Sequence, residues 1–174
     1  MLGMQKVKTE SKNSAVGELE TATFAAGCFW GVEEEFRKLK GVKSTTVGYT
    51  GGWSDNPTYN DVCTDRTGHA ESIQVKFDPK EVTYSDLLNV FWSAHNPTTK
   101  NRQGMDYGTQ YRSAIFFHSP EQQALAIKSK EELDGSGRFR DRIVTEIAQA
   151  SPFYAAEEYH QKYYQKRGGG SCYI

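Results

Sequence analysis

Cysteine is scarce in this chain: among 174 residues there are three, Cys28, Cys63 and Cys172. So odd and sparse a set excludes the disulfide framework of a small secreted domain and makes reduced thiols the default. A surplus of either charge is also missing. Lys+Arg number 21 against 22 Asp+Glu, with no dense basic block, which removes the electrostatic footprint of a nucleic-acid binder. No uncharged apolar run approaches the roughly 20 residues of a membrane-spanning helix, and the opening MLGMQKVKTESKNSAVGELE lacks the apolar stretch of a secretory signal. A soluble, cytoplasmic protein without nucleic-acid or membrane partners is expected. Metal chemistry has little to stand on, because no two cysteines are closely spaced. The "HAE" at 69–71 has the H-x-E half of a zinc deaminase but no downstream pair of cysteines. No bound metal or cofactor is expected.

What the chain has in quantity is aromatics, 13% of residues with ten tyrosines, which offer apolar area and a hydroxyl together. Its length suits one domain with tails. Residues 1–20 are polar and aperiodic and read as a mobile arm, 21–167 as the domain, and 168–174, with three successive glycines, as a flexible tail carrying Cys172.

"TATFAA" (21–26) reads as a strand, and "GCFWGVEEEFRKLKG" sets Phe29, Val32, Phe36 and Leu39 at helical spacing, with Gly41 past the end. "VKSTTVGYTGG" reads as a second strand followed by an exposed loop, "WSDNPTYN". In "ESIQVKF" (71–77), Ile73, Val75 and Phe77 alternate with polar residues as on a half-buried strand. "TYSDLLNVFWSAH" carries Tyr84, Leu87, Leu88, Phe91 and Trp92 on one helical face. "NPTTKNRQGMDYGTQ" is a long irregular segment, whose length favours a functional loop. "RSAIFFH" predicts a strand, "SPEQ" (119–122) a helix start with a capping box closed by Gln122, "RIVTEIA" a strand, and "YAAEEYHQKYYQK" a final helix. Loosely alternating strands and helices indicate α+β or α/β with a mixed sheet.

Cys28 thus falls where a strand gives way to a helix. There the positive end of the helix dipole favours thiolate and can lower a thiol pKa from about 8.5 to roughly 3.5–7.5. Gly27 lets the backbone turn and a ligand approach. On position alone two readings stand side by side, a reactive thiol and a small buried hydrophobe.

"GCFWG" at 27–31 resembles the active-site signature of the class A peptide-methionine sulfoxide reductases. "VGYTGG" (47–52), "TGHAE" (67–71), "NRQG" (101–104), "GTQYRSAIF" (108–116) and "AEEYHQ" (156–161) resemble that family's other blocks in the same order, over about residues 21–172. The resemblance implies a two-layer α/β sandwich, an α+β fold with a mixed sheet and a ferredoxin-like core. It implies Cys28 as nucleophile, Glu71 as proton donor through a pKa raised by burial, and Phe29 and Trp30 as the wall that seats the sulfoxide methyl. Tyr59 and Tyr111 are carried over as hydroxyl donors to the sulfoxide oxygen and Asp106 as a second carboxylate. Cys172 is implied as the thiol that resolves a Cys28 sulfenic acid into a disulfide, with thioredoxin, or dithiothreitol in vitro, as reductant.

The expected substrate is the S epimer of methionine sulfoxide, free or in proteins, and the expected state a monomer. Cys63 is expected to be buried and structural, and His69 and His160 to be satisfied structural histidines. The chain departs from the family pattern at Asn96, where an acidic residue is common. Two rivals stay open: a thiol peroxidase using Cys28 on hydroperoxides, and a non-catalytic redox sensor or peptide-binding module.

Overall fold

Ile73, Val75 and Phe77 alternate with Ser72, Gln74 and Lys76, and the strand they form lies inside the sheet rather than at its edge. The computed structural model describes residues 18–168. In chain order its elements are β1 (Glu20–Ala26), α1 (Phe29–Arg37), β2 (Val42–Thr50), α2 (Tyr59–Cys63), β3 (Ala70–Phe77), α3 (Tyr84–Ser93), β4 (Arg102–Gln103), β5 (Asp106–Tyr107), β6 (Ser113–Phe117), α4 (Pro120–Gly135), β7 (Glu146–Gln149), β8 (Tyr154–Ala155) and α5 (Tyr163–Lys166). Single 3-10 turns occupy Thr109–Tyr111 and Glu158–His160. The expected tail beyond Gly168 and most of the expected arm lie outside the described residues.

Six strands form one sheet in the order β7-β6-β1-β3-β2-β8. Its centre, β6-β1-β3-β2, is antiparallel at each pairing and is the order of a ferredoxin-like split βαβ. The parallel β6–β7 pair makes the sheet mixed, so the α+β expectation holds. β1 is buried on both faces from Ala22 to Ala26, which is why that segment is apolar and small rather than alternating.

Helices α1, α3 and α4 form the second layer, closing over Ala22, Phe24, Ala26, Ile73, Val75, Phe77 and Ile115. Phe24 is fully buried, its ring stacked 5.1 Å from Phe36, 6.0 Å from Tyr84 and 5.3 Å from Phe91. Burying one such ring stabilises the fold by about 1.5–3 kcal/mol. α3 starts where Thr83 and Asp86 exchange side-chain-to-backbone hydrogen bonds, a reciprocal capping box.

Three expectations are corrected. The box proposed at Ser119 is only half made: Ser119 accepts from the Gln122 N–H, but the Gln122 side chain accepts from His118 N and donates to Thr21 O. The segment 96–110 is less irregular than its composition suggests, because β4 and β5 form a short hairpin.

The final helix fails over most of its length. Tyr154–Ala155 pairs with β2 instead, Ala156 N–H donates to Val47 O, and Gln161 uses its amide on Val47 N, Val47 O and Ala156 O. Lys162 then adopts a left-handed φ of +52°, and only α5 remains helical. Sheet-edge hydrogen bonds outcompete helix propensity there.

Candidate active site

The helix that Cys28 caps begins against the strand that carries Glu71. Cys28 has non-helical backbone angles (φ −54°, ψ 117°) and is half-buried at the start of α1. The next backbone N–H, that of Phe29, donates to Glu71 Oε1 at 3.4 Å. Glu71 is 2% exposed, so the burial expected of a proton-donating carboxyl is met. Its place is set by the register of β3, which puts it opposite Tyr49 of β2.

Gly27 before the thiol has φ +88°, a left-handed conformation that disfavours other residues. A Cβ there would lie 2.7 Å from Gln103 Cγ. The glycine therefore admits a side chain of the β4–β5 hairpin, not a ligand as its sequence context suggested. Gln103 is locked in that position by accepting from Asn96 N at 3.0 Å and donating to Asn96 O at 2.6 Å. Asn96 itself closes an Asx turn through Thr98, so an amide serves at the position where the family commonly has an acid.

Phe29 is 1% exposed and packs with Val47, Tyr49, Val62 and Ala156 in a small second core, against which Trp30 and Tyr59 lie half-buried. Trp30 is held from two sides. Its indole N–H donates to His160 Nδ1 at 2.9 Å, and its ring stacks on Tyr163 with centroids 3.9 Å apart and 7° between planes. His160 is fully buried among the rings of Phe29, Trp30, Tyr59 and Tyr159. Accepting at Nδ1 puts its proton on Nε2, which has no hydrogen-bond partner in the described structure. His160 is thus only half satisfied, unlike His69, which accepts from Gly52 N at Nδ1 and pairs with Ser54 O at Nε2.

Tyr59 opens α2, and its backbone N–H donates to Glu157, whose other oxygen accepts from the Tyr49 hydroxyl. Burial, first, and a hydrogen bond to the Cys63 sulfur, second, hold the Tyr59 hydroxyl far above its ordinary pKa. Tyr111 ends the 3-10 turn after the hairpin, and burial, first, followed by the neighbouring Glu71 and Asp106 carboxyl groups, raises its hydroxyl likewise, with Cys63 and Cys28 adding to the effect. Cys28, Glu71, Tyr59, Asp106 and Tyr111 therefore come to one place from five separate elements.

Cys63 is corrected: it is exposed, at the C-terminal end of α2 beside Tyr59, not buried in the core. Cys172 lies outside the described residues. Sequence reasoning assigned no role to Gln103, Glu157 or Tyr163, and it took His160 for a satisfied structural histidine. Glu157 and His160 were signalled by the block AEEYHQ (156–161), and Tyr163 only by the aromatic density of a segment that looked like a helix face.

Known proteins resemble this arrangement along nearly its whole length. The family model described as peptide methionine sulfoxide reductase matches residues 20–174. The peptide methionine sulfoxide reductase MsrA of Methanoculleus marisnigri is 64% identical over 154 residues, covering 88% of this chain and 94% of that protein. Among solved structures, reduced Mxr1 of Saccharomyces cerevisiae superposes with a TM-score of 0.83 at 38% identity, covering 89% of each chain. The same yeast protein in complex with Trx2 gives a TM-score of 0.59 at 28% identity over 84% of this chain and 85% of that one. The protein is an oxidoreductase. It belongs to the peptide methionine sulfoxide reductase family and reduces methionine sulfoxide.

Proposed function

We propose that the chain reduces the S epimer of methionine sulfoxide, free or in proteins, by thiol chemistry at Cys28. The observation that carries this reading is the 3.4 Å contact between the Phe29 N–H and Glu71 Oε1, which brings a buried carboxyl within one residue of the thiol. The start of α1 favours thiolate at Cys28. That thiolate attacks the sulfoxide sulfur while Glu71, buried beside the start of α1, gives a proton to the oxygen. Tyr59 and Tyr111, kept protonated by burial, donate hydrogen bonds to the same oxygen, with Asp106 as the second carboxylate of the site. Trp30, backed by Phe29 and fixed by His160 and Tyr163, seats the methyl group.

The S–O bond breaks, oxygen passes to Cys28 as a sulfenic acid, and methionine leaves. Cys172 on the 168–174 tail attacks that sulfur, releasing water and forming a Cys28–Cys172 disulfide, which exchanges with thioredoxin to restore both thiols. The yeast relative's complex with Trx2 supports that reductant. The reading includes the division into arm (1–20), catalytic domain (21–167) and tail, a monomeric cytoplasmic enzyme, and a role in repairing oxidised proteins. No helix among the described residues is long and apolar enough to cross a membrane.

The test is reduction of separated S and R epimers by wild type and Cys28→Ser, with dithiothreitol as reductant. Consumption of the S epimer alone, and by wild type alone, is expected. Turnover by Cys28→Ser, or of the R epimer at an equal rate, overturns the proposal.

A further inference from the structure

The β4–β5 hairpin presents one residue that the mechanism above does not use. Gln103 and Asp106 pair across it, so Gly104 and Met105 form a two-residue tip. A Cβ added at Gly104 meets nothing within 4 Å, and Met105 is 88% exposed, the highest value among the exposed large apolar side chains. The base of the hairpin, by contrast, is fixed. Gln103 is 4% exposed, is clamped to Asn96, and packs over Gly27, the neighbour of Cys28. A thioether therefore stands in water at the end of a narrow turn whose base packs against the neighbour of Cys28.

We propose that Met105 is a sacrificial oxidation site, oxidised by hydroperoxides and reduced by the Cys28 of a second copy of this chain. The inference rests on the sulfoxide reductase reading. Exposure decides the first step: an unshielded thioether sulfur attacks the peroxide oxygen, the O–O bond breaks, sulfur gains oxygen and loses two electrons, and an alcohol or water leaves. Methionine sulfoxide on a tip is the substrate class the family reduces. In the second step the S–O bond breaks, the oxygen passes to the attacking Cys28 as a sulfenic acid, and the thioether of Met105 is restored. With two thiols closing the cycle, the sum is hydroperoxide plus dithiol giving alcohol, water and disulfide.

Geometry favours a second copy over the same one. Met105 lies in the turn beyond Gln103 and Asp106, the last paired residues of the hairpin, so no strand pairing holds it. Met105, at 88% exposure, is turned to solvent rather than folded into its own site. Its oxidation also leaves packing intact, since the buried core of the described residues contains no methionine. A polar sulfoxide in a core would disrupt it.

The experiment uses full-length Cys28→Ser protein treated with hydrogen peroxide, then freed of peroxide. Mass spectrometry of the tryptic peptide 103–112 follows the gain of one oxygen. Trace wild type, dithiothreitol and a short methionine sulfoxide peptide as internal control are then added. The expected result is ready oxidation of Met105 and loss of about half of the added oxygen, the fraction belonging to one epimer. If the control peptide is reduced and the oxygen on Met105 persists, the proposal fails and the reductase reading stands. If neither is reduced, both fail. In a second measurement, wild type and Met105→Leu are compared for thioredoxin-driven consumption of hydroperoxide. Met105→Leu should keep sulfoxide reduction and lose that consumption, with the wild-type rate per molecule rising with protein concentration. Equal consumption by the two, or a rate independent of concentration, overturns the proposal.

Discussion

Glu71 Oε1 accepts a hydrogen bond from the backbone N–H of Phe29 at 3.4 Å, so the carboxyl of a sheet strand and the first turn of the nucleophile's helix are directly joined. A glutamine at position 71 keeps an acceptor for that N–H but has no acidic proton to give. Glu71→Gln should therefore lose roughly 10²–10⁴-fold in rate, the range expected of a positioned general acid. Cys28 should stay open to alkylation and the fold unchanged. Steady-state kinetics beside iodoacetamide labelling check this, and full activity removes Glu71 as the donor.

Separation of chemistry from recycling yields a second expectation. Cys172→Ser retains Cys28, Glu71 and the tyrosines, so one turnover should still release about one methionine per enzyme and leave a sulfenic acid. Thioredoxin should then fail to restart the enzyme, because no disulfide is available for exchange. Rapid-quench counting of product followed by addition of thioredoxin checks it. Normal thioredoxin-driven turnover of the variant excludes Cys172 as the resolving thiol.

Trp30 is hydrogen-bonded to a partner that lies 130 residues further along the chain, and the contrast with Cys28 shows what a sequence can display. The strand before Cys28 and the helix after it carry their apolar residues at regular spacing, so both elements and their junction are legible. The same holds for β3, whose alternation places Glu71. The segment 154–166 has helix-favouring composition, but its hydrogen bonds go to Val47 on β2 and to Glu33 on α1, the latter accepting from Lys162 N. Those partners are set by tertiary contact, and no local period reports them. Gln103 filling the space beside Gly27 is of the same kind: a glycine announces that something comes close, and only the fold says what.

Gly27→Ala should destabilise the protein. The left-handed φ of +88° costs a residue with a Cβ about 1–2 kcal/mol, and the new methyl would stand 2.7 Å from Gln103 Cγ. Relief of the clash means moving Gln103 off Asn96 or shifting the start of α1. The expected outcome is a lower urea midpoint with an unchanged slope, together with slower alkylation or turnover at Cys28. A midpoint equal to that of wild type contradicts the argument.

Acid sensitivity should come in part from His95. It is 6% exposed, its Nδ1 lies 2.7 Å from Phe91 O and its Nε2 2.6 Å from Ser113 Oγ, which in turn bonds to Thr145 Oγ1 at 2.7 Å. Burial pushes its pKa down from 6.5 to about 4, with the Phe91 carbonyl opposing the shift. Between those two values the unfolded chain binds a proton that the folded chain refuses. The contribution is therefore complete above pH 6.5 and is lost as the pH falls through about 4. A gap of that size corresponds to roughly 3 kcal/mol. Urea unfolding at a series of pH values from 7 to 4 should show wild-type stability falling more steeply than that of His95→Gln, whose amide does not titrate. Parallel pH dependence in the two proteins contradicts the assignment, whatever their stability at pH 7, because loss of packing alone lowers the curve without changing its slope.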